Sequence, residues 1–231
     1  MRRMTGDRLK RHDISGRADP LGWRLILGEL QTQVLAGSLA KAAELAHALS
    51  AADSGEHLRM DIRAGRLYLS LATPGERLAT ARDLELARII SGMVAELGFA
   101  CGPDAGGQPG GPVQRIEIGI DALDITTIRP FWRAVLGYGD EPGRGGPSDA
   151  IVDPAGQGPS VWFQQMDAPR PQRNRIHLDV VVPHDEARRR MDAAIAAGGQ
   201  VTYDAEAPAF WVLADPEGNE ACVCTWQGRD A

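Results

Sequence analysis

Cysteine is scarce in this sequence. Its 231 residues include three cysteines, Cys101, Cys222 and Cys224. An odd number without a framework spacing is unlike the disulfide-rich chains of oxidising compartments, so it favours a reducing cytoplasm. Cys222 and Cys224 are two positions apart and would share one face of a strand, where we interpret them as packing residues rather than as a metal or redox pair.

Long apolar runs and a strong net charge are also missing. No stretch approaches the roughly 20 apolar residues of a membrane span. The basic cluster within residues 2–11 has no apolar run behind it and does not predict a secretory signal. A net charge of −6 and a pI of about 5.4 suit neither a phosphate backbone nor an anionic membrane. We therefore expect a small-molecule partner, with no nucleic acid and no membrane.

Composition and length are those of a globular protein. Apolar residues make up 43% and charged residues 24% of the chain, and the length suits one large domain or two small ones. Residues 1–20 are polar and basic and predict a disordered tail. Residues 101–112, rich in Gly and Pro, cannot bury a core and predict a linker between domains at 21–100 and 113–231.

Apolar periodicity in the first domain predicts the order ββαββα. Ser38 is a good N-cap for a helix whose leucines and alanines recur at helical spacing. Alternating segments around Ala64 and Gly65 indicate a hairpin. Thr80 followed by Asp83 predicts the start of the last helix, with an acid at its third position.

The second domain repeats one pattern twice. Each copy reads βαβββ, and the segments Asp153-Pro-Ala-Gly and Asp215-Pro-Glu-Gly fall at matching places in the two copies. A fixed internal period of this kind indicates a duplicated structural module. The sequence therefore predicts an α+β protein, with a ββαββα domain followed by paired βαβββ modules.

One strand of the second domain carries a histidine on its polar face. Residues 176–182 alternate, so that Ile176 and its apolar neighbours would point one way and His177 and Asp179 the other. Glu117 has the matching place on the strand at 116–120, and Glu220 begins the last strand. One imidazole and two carboxylates suit Zn, Mn, Fe, Co or Ni. Alternatively, His177 hydrogen-bonds one of these glutamates and the sheet holds an organic ligand without metal.

The second domain resembles the vicinal oxygen chelate superfamily, or glyoxalase/bleomycin-resistance fold, over residues 113–227. The resemblance is carried by three groups of residues: Asp124 with Phe131-Trp132 and Leu136-Gly137-Tyr138, then Asn174-Arg-Ile-His-Leu-Asp179, then Asp215-Pro-Glu-Gly-Asn-Glu220. It implies that the two modules form a cupped sheet with a metal ion or ligand in the cup.

This resemblance also implies site residues. Three of the four metal positions fall on Glu117, His177 and Glu220, and the fourth would lie at Gln164, with Trp162 or Gln165 following from a small shift. The implied chemistry is that of a metal-dependent lyase, isomerase or dioxygenase, in which Glu117 or Glu220 moves a proton. Gln164, Trp162 and Trp211 are the residues expected in the substrate pocket, with core packing as the alternative for each tryptophan. A metal-free binding or resistance protein is the other reading.

The first domain resembles pterin-4a-carbinolamine dehydratase, which dehydrates 4a-hydroxytetrahydrobiopterin. The resemblance is carried by residues 56–63, 66–73 and 80–87. Where that family has His-His-Pro, this sequence has Glu56-His57-Leu58, and Pro74 stands at its third histidine. Glu56 and His57 remain as catalytic candidates; a dimerisation or ligand-gating module is the alternative. Members of both families commonly pair subunits or modules, which makes a homodimer one expected arrangement.

Overall fold

The computed structural model describes residues 9–102, 113–169, 176 and 178–228. The chain divides into two compact units, Met1–Arg115 and Ile116–Ala231. Residues 103–112 of the predicted linker lie outside the described part. No helix among the described residues has the length and apolar character needed to cross a membrane.

Among its described residues, the first unit has a five-stranded antiparallel sheet, three α-helices and a short 3-10 helix at Asp19–Leu21. The sheet order is β1-β2-β4-β3, and β5 pairs with the free edge of β2. The elements are α1 (Arg11–Ala18), β1 (Arg24–Ile26), β2 (Glu29–Leu35), α2 (Leu39–Leu49), β3 (Leu58–Arg63), β4 (Arg66–Leu71), α3 (Ala81–Glu96) and β5 (Cys101–Gly102). The predicted ββαββα order is present, with α1 and β5 added at its ends.

Helix α1 corrects the prediction of a disordered tail over residues 1–20. Ile14 and Ala18 of this helix are fully buried in the core of the first unit, together with Trp23. The helix is otherwise polar, so two buried apolar side chains gave too little periodicity to be recognised. At the other end of the unit, Gly102 pairs with Gln33 of β2, so residues 101 and 102 belong to the sheet rather than to the linker.

Helix capping in the first unit follows the sequence prediction. The Ser38 hydroxyl accepts a hydrogen bond from the amide of Lys41 at 3.2 Å, at the start of α2. At the start of α3, the amide of Thr80 donates to Oδ2 of Asp83 at 2.7 Å. Each contact satisfies a backbone donor that the first helical turn leaves without a partner.

The second unit consists of two βαβββ modules with one four-stranded sheet each. The sheet orders are β6-β9-β8-β7 and β10-β13-β12-β11. The first module contains β6 (Glu117–Ala122), α4 (Ile125–Leu136), β7 (Gly139–Asp140), β8 (Ile151–Val152) and β9 (Ser160–Gln165). The second contains β10 (Asp179–Val181), α5 (Ala187–Ala196), β11 (Gln200–Tyr203), β12 (Phe210–Ala214) and β13 (Glu220–Cys224).

Both modules contribute to one apolar core. Phe131 and Trp132 of α4 share a buried cluster with Met191 of α5 and with Val161 and Val223 from the two sheets. The helices therefore cover one face of each sheet and leave the opposite face of each sheet to other contacts.

Two local features of this unit bear on the site. Asp124 caps α4, because its Oδ1 accepts hydrogen bonds from the amides of Thr126 and Thr127, at 2.9 and 3.3 Å. The predicted strand over 176–182 is shorter, since β10 begins at Asp179 and Ile176 is 79% exposed on a bend. His177 lies outside the described residues.

Candidate functional site

The face of the first module that points away from the helices is set by the parallel pairing of β6 with β9. Residues opposite one another in this register share a face, and every second residue returns to it. We call this surface the first strand face; its members are Glu117, Gly119 and Asp121 of β6 with Ser160, Trp162 and Gln164 of β9. The intervening side chains, Ile120 and Phe163 among them, are buried in the core.

Glu117 and Ser160 form a hydrogen-bonded pair on this face. The Ser160 hydroxyl donates to Oε1 of Glu117 at 2.9 Å, and the carboxylate is solvent-exposed. The next pair along the strands is Gly119 and Trp162. Trp162 is 41% exposed. A Cβ at position 119 would lie 2.9 Å from Cζ2 of Trp162, so the indole rests on the glycine. Sequence analysis missed Gly119, although its place two residues after Glu117 was a usable signal.

The strand register also gives the position of Gln164, the residue expected as the fourth metal ligand. Ser160 is the β9 residue directly opposite Glu117, while Gln164 is opposite Asp121. Gln164 is four positions after Ser160, which is roughly 13 Å along the strand. Gln165 is occupied elsewhere, because its Nε2 donates to the carbonyl of Leu123 at 2.7 Å. The group beside Glu117 is therefore the hydroxyl of Ser160, which the sequence analysis did not identify.

The second module has a corresponding face, which we call the second strand face. It carries Glu220, Cys222 and Cys224 of β13 with Asp179 of β10, since Asp179 is opposite Cys222. Both cysteines are buried in a small cluster with Val212, which fits the packing role expected for them. Glu220 is half-buried at the first position of β13.

Trp211 lies on the other side of this sheet. It is opposite Val223, and both side chains pack against the core that α4 and α5 cover. The residues of β12 that share a face with Glu220 are its partner Ala214 and, by alternation, Val212 and Phe210. This placement corrects the assignment of Trp211 to the substrate pocket and supports the core-packing alternative.

The electrostatics of the second strand face argue against a reactive thiol. Burial, and then the negative charge of Asp179, raise the pKa of Cys222 to about 11. A thiol with that pKa stays protonated at neutral pH, and the thiolate is the form that attacks carbon or binds metal. Cys222 is therefore an apolar packing group here.

The predicted metal ligands divide between the described and undescribed parts of the chain. Glu117 and Glu220 each begin a strand of the second unit, and each has its carboxylate on a strand face. His177 is not among the described residues. Within the residues that are described, no group of three or more His, Cys, Asp or Glu side chains is arranged to hold a metal ion.

The Asp215 turn joins the two modules. Oδ2 of the fully buried Asp215 accepts a hydrogen bond from Nε1 of Trp132 at 3.0 Å. Two residues later, the carboxylate of Glu217 accepts from the amides of Leu123 and Asp124, at 2.8 and 2.6 Å. These contacts attach the end of the second sheet to the start of α4, so they position the two strand faces within one unit.

The first unit contains its own polar cluster around His57. Nδ1 of His57 lies 2.8 Å from Oδ1 of Asp83, whose side chain is fully buried. Oδ2 of Asp83 accepts hydrogen bonds from the hydroxyls of Thr73 and Thr80, at 2.7 and 3.0 Å. The ring of His57 keeps 21% of its surface exposed, so it connects a buried carboxylate to solvent.

The charge of Asp83 is stabilised by these contacts. Burial raises the pKa of this carboxyl, but hydrogen bonds from the Thr80 amide, His57 and the two threonine hydroxyls outweigh that effect, and the pKa lies below its ordinary value. Sequence analysis identified Asp83 only as a helix cap. Glu56 and Pro74, the neighbours predicted from the family resemblance, are both exposed.

Comparison with known proteins bears on the second unit. Residues 117–224 match the model of the glyoxalase-like domain family. Among solved structures, a glyoxalase-related enzyme from Fulvimarina pelagi is similar, with 19% identity, a TM-score of 0.40, and coverage of 49% of this chain and 88% of that one. A glyoxalase/bleomycin resistance/dioxygenase family enzyme from Burkholderia phytofirmans is also similar, with 18% identity and a TM-score of 0.39. The match covers 47% of this chain and 95% of that one.

A fosfomycin resistance protein from Listeria monocytogenes, complexed with Mn(II), is also similar, with 10% identity and a TM-score of 0.37, covering 47% of this chain and 86% of that one. No curated protein matches the sequence. The family match coincides with β6 to β13, the two βαβββ modules described above. Residues 117–224 of this chain therefore form a glyoxalase-like domain of the vicinal oxygen chelate type.

Proposed function

We propose that the chain is a small-molecule enzyme whose site is formed by the strand faces of the glyoxalase-like domain. The observation that carries the proposal is the exposed Glu117 carboxylate, held by Ser160 next to the exposed indole of Trp162. A carboxylate can accept a proton from a bound substrate, and an exposed aromatic face can pack against its carbon skeleton. Helices cover the other face of the same sheet.

We further propose that the site takes a divalent metal, with Glu117, His177 and Glu220 as its protein ligands. The chemistry of the donor set supports this, because one imidazole and two carboxylates suit Zn, Mn, Fe, Co or Ni. A bound metal would supply Lewis-acid polarisation of substrate oxygens. The described residues contribute the two carboxylates, and Ser160 holds Glu117 through a hydrogen bond that orients its free oxygen.

Elemental analysis of the full chain, purified without chelators, tests this proposal. About one metal ion per chain is expected, and Glu220→Ala and His177→Ala should each abolish its retention. Glu206→Ala is the matched control, because Glu206 is an exposed glutamate of the same domain on the turn after β11. Circular dichroism establishes that each variant is folded.

The result separates the enzyme from its main alternative. If wild-type protein binds none of Zn, Mn, Fe, Co or Ni after their addition, the metal-dependent reading is overturned. The strand faces would then belong to a metal-free binding or resistance protein. Metal retention that is unchanged in Glu220→Ala would place the ligands elsewhere in the chain.

A second candidate function, dehydration of 4a-hydroxytetrahydrobiopterin in the first unit, is favoured by the contact between His57 and Asp83. A carboxylate only accepts hydrogen bonds, so Nδ1 carries the proton of the neutral ring and Nε2 keeps its lone pair. His57 is thereby oriented as a proton acceptor at a partly exposed position. Pro74, at the place of the family's third histidine, cannot transfer a proton.

A dehydration assay on the full chain tests the second candidate. His57→Ala should remove the activity, while His47→Ala should leave it unchanged, since His47 is an exposed histidine on α2 of the same unit. The variant Glu56→Gln tests whether the carboxylate of Glu56 takes part in the dehydration. Wild-type protein that does not exceed the uncatalysed rate would remove this function and leave the first unit as a dimerisation or ligand-gating module.

A further inference from the structure

A groove lined by arginine runs between α4 and α5 of the glyoxalase-like domain. Its volume is about 510 Å³, within the usual range of small-molecule sites. Four arginines line it, Arg129 and Arg133 from α4 with Arg189 and Arg190 from α5, and we call it the arginine groove. These helices cover the core side of the sheets, so the groove is separate from the strand faces that carry Glu117 and Glu220.

Two carboxylates accompany the four guanidinium groups. Asp140 accepts a hydrogen bond from Nη2 of Arg129 at 2.7 Å, and Glu186 accepts from Nε of Arg189 at 2.8 Å. Neither acid is among the residues that line the groove. The local excess of two positive charges contrasts with a chain whose net charge is −6, so the groove wall is a cationic surface on an acidic protein.

Two of the arginines are held rigidly at the base of the groove. The Arg129 side chain is 9% exposed, and its Nε donates to the carbonyl of Asp149 at 2.7 Å. Arg190 is 17% exposed and donates from Nη1 to the carbonyl of Val135, in the last turn of α4. A Cβ at Gly137 would lie 2.9 Å from that same Nη1, so the glycine leaves room for the guanidinium. Groups fixed in this way lose little entropy when they bind a ligand.

The other two arginines are at the rim. Arg189 is 76% exposed. Arg133 is 50% exposed and makes one loose ion pair within the described residues, at 3.7 Å to Asp140. A loose, exposed ion pair contributes little to stability, so the Arg133 guanidinium can turn towards an incoming anion at low cost. Arg189 is paired more firmly, because its Nε and Nη2 both donate to the carboxylate of Glu186.

We propose that the arginine groove binds a small organic phosphate. Guanidinium groups match the oxygens of a phosphate with paired hydrogen bonds, and four of them around one groove suit a group that carries two negative charges. The groove is also lined by Tyr138 and Pro130, which provide an apolar wall for the carbon part of the ligand. A fully polar anion would not use that wall.

Calorimetric titration of the full chain, with a chelator present and at constant ionic strength, tests this site independently of any metal. The probes are glycerol 3-phosphate, inorganic phosphate, sulfate and glycerol. We expect glycerol 3-phosphate to bind more tightly than inorganic phosphate, and glycerol not to bind. Arg133→Gln should weaken binding by about tenfold, a usual consequence of losing a hydrogen bond to a charged group.

Arg188→Gln is the matched control. Arg188 is on α5 beside Arg189, is 82% exposed, pairs with Asp192, and does not line the groove. Equal losses in the two variants, or glycerol 3-phosphate binding no more tightly than sulfate, would overturn the proposal. If inorganic phosphate binds more tightly than glycerol 3-phosphate, the ligand of the groove is the free ion, and the proposal of an organic phosphate is overturned. If Arg133→Gln fails to fold, the NMR signals of the arginine Nε–H groups of the wild-type protein test the site instead. Only the signals of the groove arginines should shift when glycerol 3-phosphate is added, and shifts confined to other arginines would overturn the proposal.

Discussion

Nδ1 of His57 lies 2.8 Å from Oδ1 of Asp83, across the interior of the first unit. His57 stands just before β3, and Asp83 is at the third position of α3. The contact joins a partly exposed imidazole to a carboxylate with no solvent exposure. A buried charge is tolerated only with hydrogen-bonding partners, and Thr73 and Thr80 complete that set here.

Replacing Asp83 by Asn should destabilise the first unit strongly. The carboxylate now accepts all of the hydrogen bonds that its neighbours donate, whereas the NH2 group of an amide would face one or more of these donors without an acceptor. The free energy of unfolding should therefore fall by about 2–4 kcal/mol. Urea denaturation followed by circular dichroism measures the change. Glu85→Gln, at an exposed position of the same helix, is the control and should leave the midpoint unchanged. Similar midpoints for the two variants would show that the buried cluster contributes nothing.

The effect of Asp83 should depend on pH in a defined direction. The pKa of this carboxyl is lower in the folded protein than the ordinary 3.8. Its ionised form therefore stabilises the fold fully above pH 3.8, and the stabilisation is lost as pH falls from there through the folded pKa. Melting temperatures of wild type and Asp83→Asn should converge below pH 3.8 and stay apart above it. A constant gap down to strongly acidic pH would contradict this.

Trp132→Phe should destabilise the glyoxalase-like domain. The substitution removes the 3.0 Å hydrogen bond to Asp215 and leaves a buried carboxylate oxygen with one donor fewer, a loss of about 1–3 kcal/mol. Thermal unfolding measures it. Trp226→Phe is the control, because Trp226 is 60% exposed. Equal stability of both variants would mean that the Asp215 turn does not depend on its contact with α4.

Gly119→Ala should displace the Trp162 indole. The added Cβ would approach Cζ2 of Trp162 to 2.9 Å, and a glycine is the only residue without that atom. We expect greater acrylamide quenching of tryptophan fluorescence with an unchanged circular dichroism spectrum. Gly139→Ala, on β7 of the same sheet and with open space around it, is the control.

The Gly119 effect can be assigned to a single residue. In a Trp162→Phe background, Gly119→Ala should no longer change the quenching. A change that persists in this background would show that the glycine acts on another tryptophan. If ligand binding to the strand faces is established, the single variant should also weaken it.

Much of the fold was accessible from local patterns. Apolar periodicity predicted the elements of both units, and Ser38 and Thr80 marked helix starts that the structure contains. The Asp-Pro-x-Gly turns revealed the duplication, and Gly156 and Gly218 have the positive φ that such turns need. Helix α1 escaped notice because only Ile14 and Ala18 of its residues are buried.

The candidate site was accessible only in part. Alternation along a strand predicts which residues share a face, and the structure has Glu117, Trp162 and Gln164 on the first strand face. Alternation does not say which residues are opposite one another on neighbouring strands. For that reason the sequence analysis did not identify Ser160, which lies opposite Glu117.

The amino-acid sequence by itself determined the repeated βαβββ modules and which residues of a strand share a face, because these depend on the spacing of residues near one another in the chain. Only the tertiary structure decided which side chains meet. The pairing of Ser160 with Glu117, the inward position of Trp211 and the contact of His57 with Asp83 depend on strand register and packing between distant segments. The arginine groove likewise exists only because α4 and α5 lie side by side.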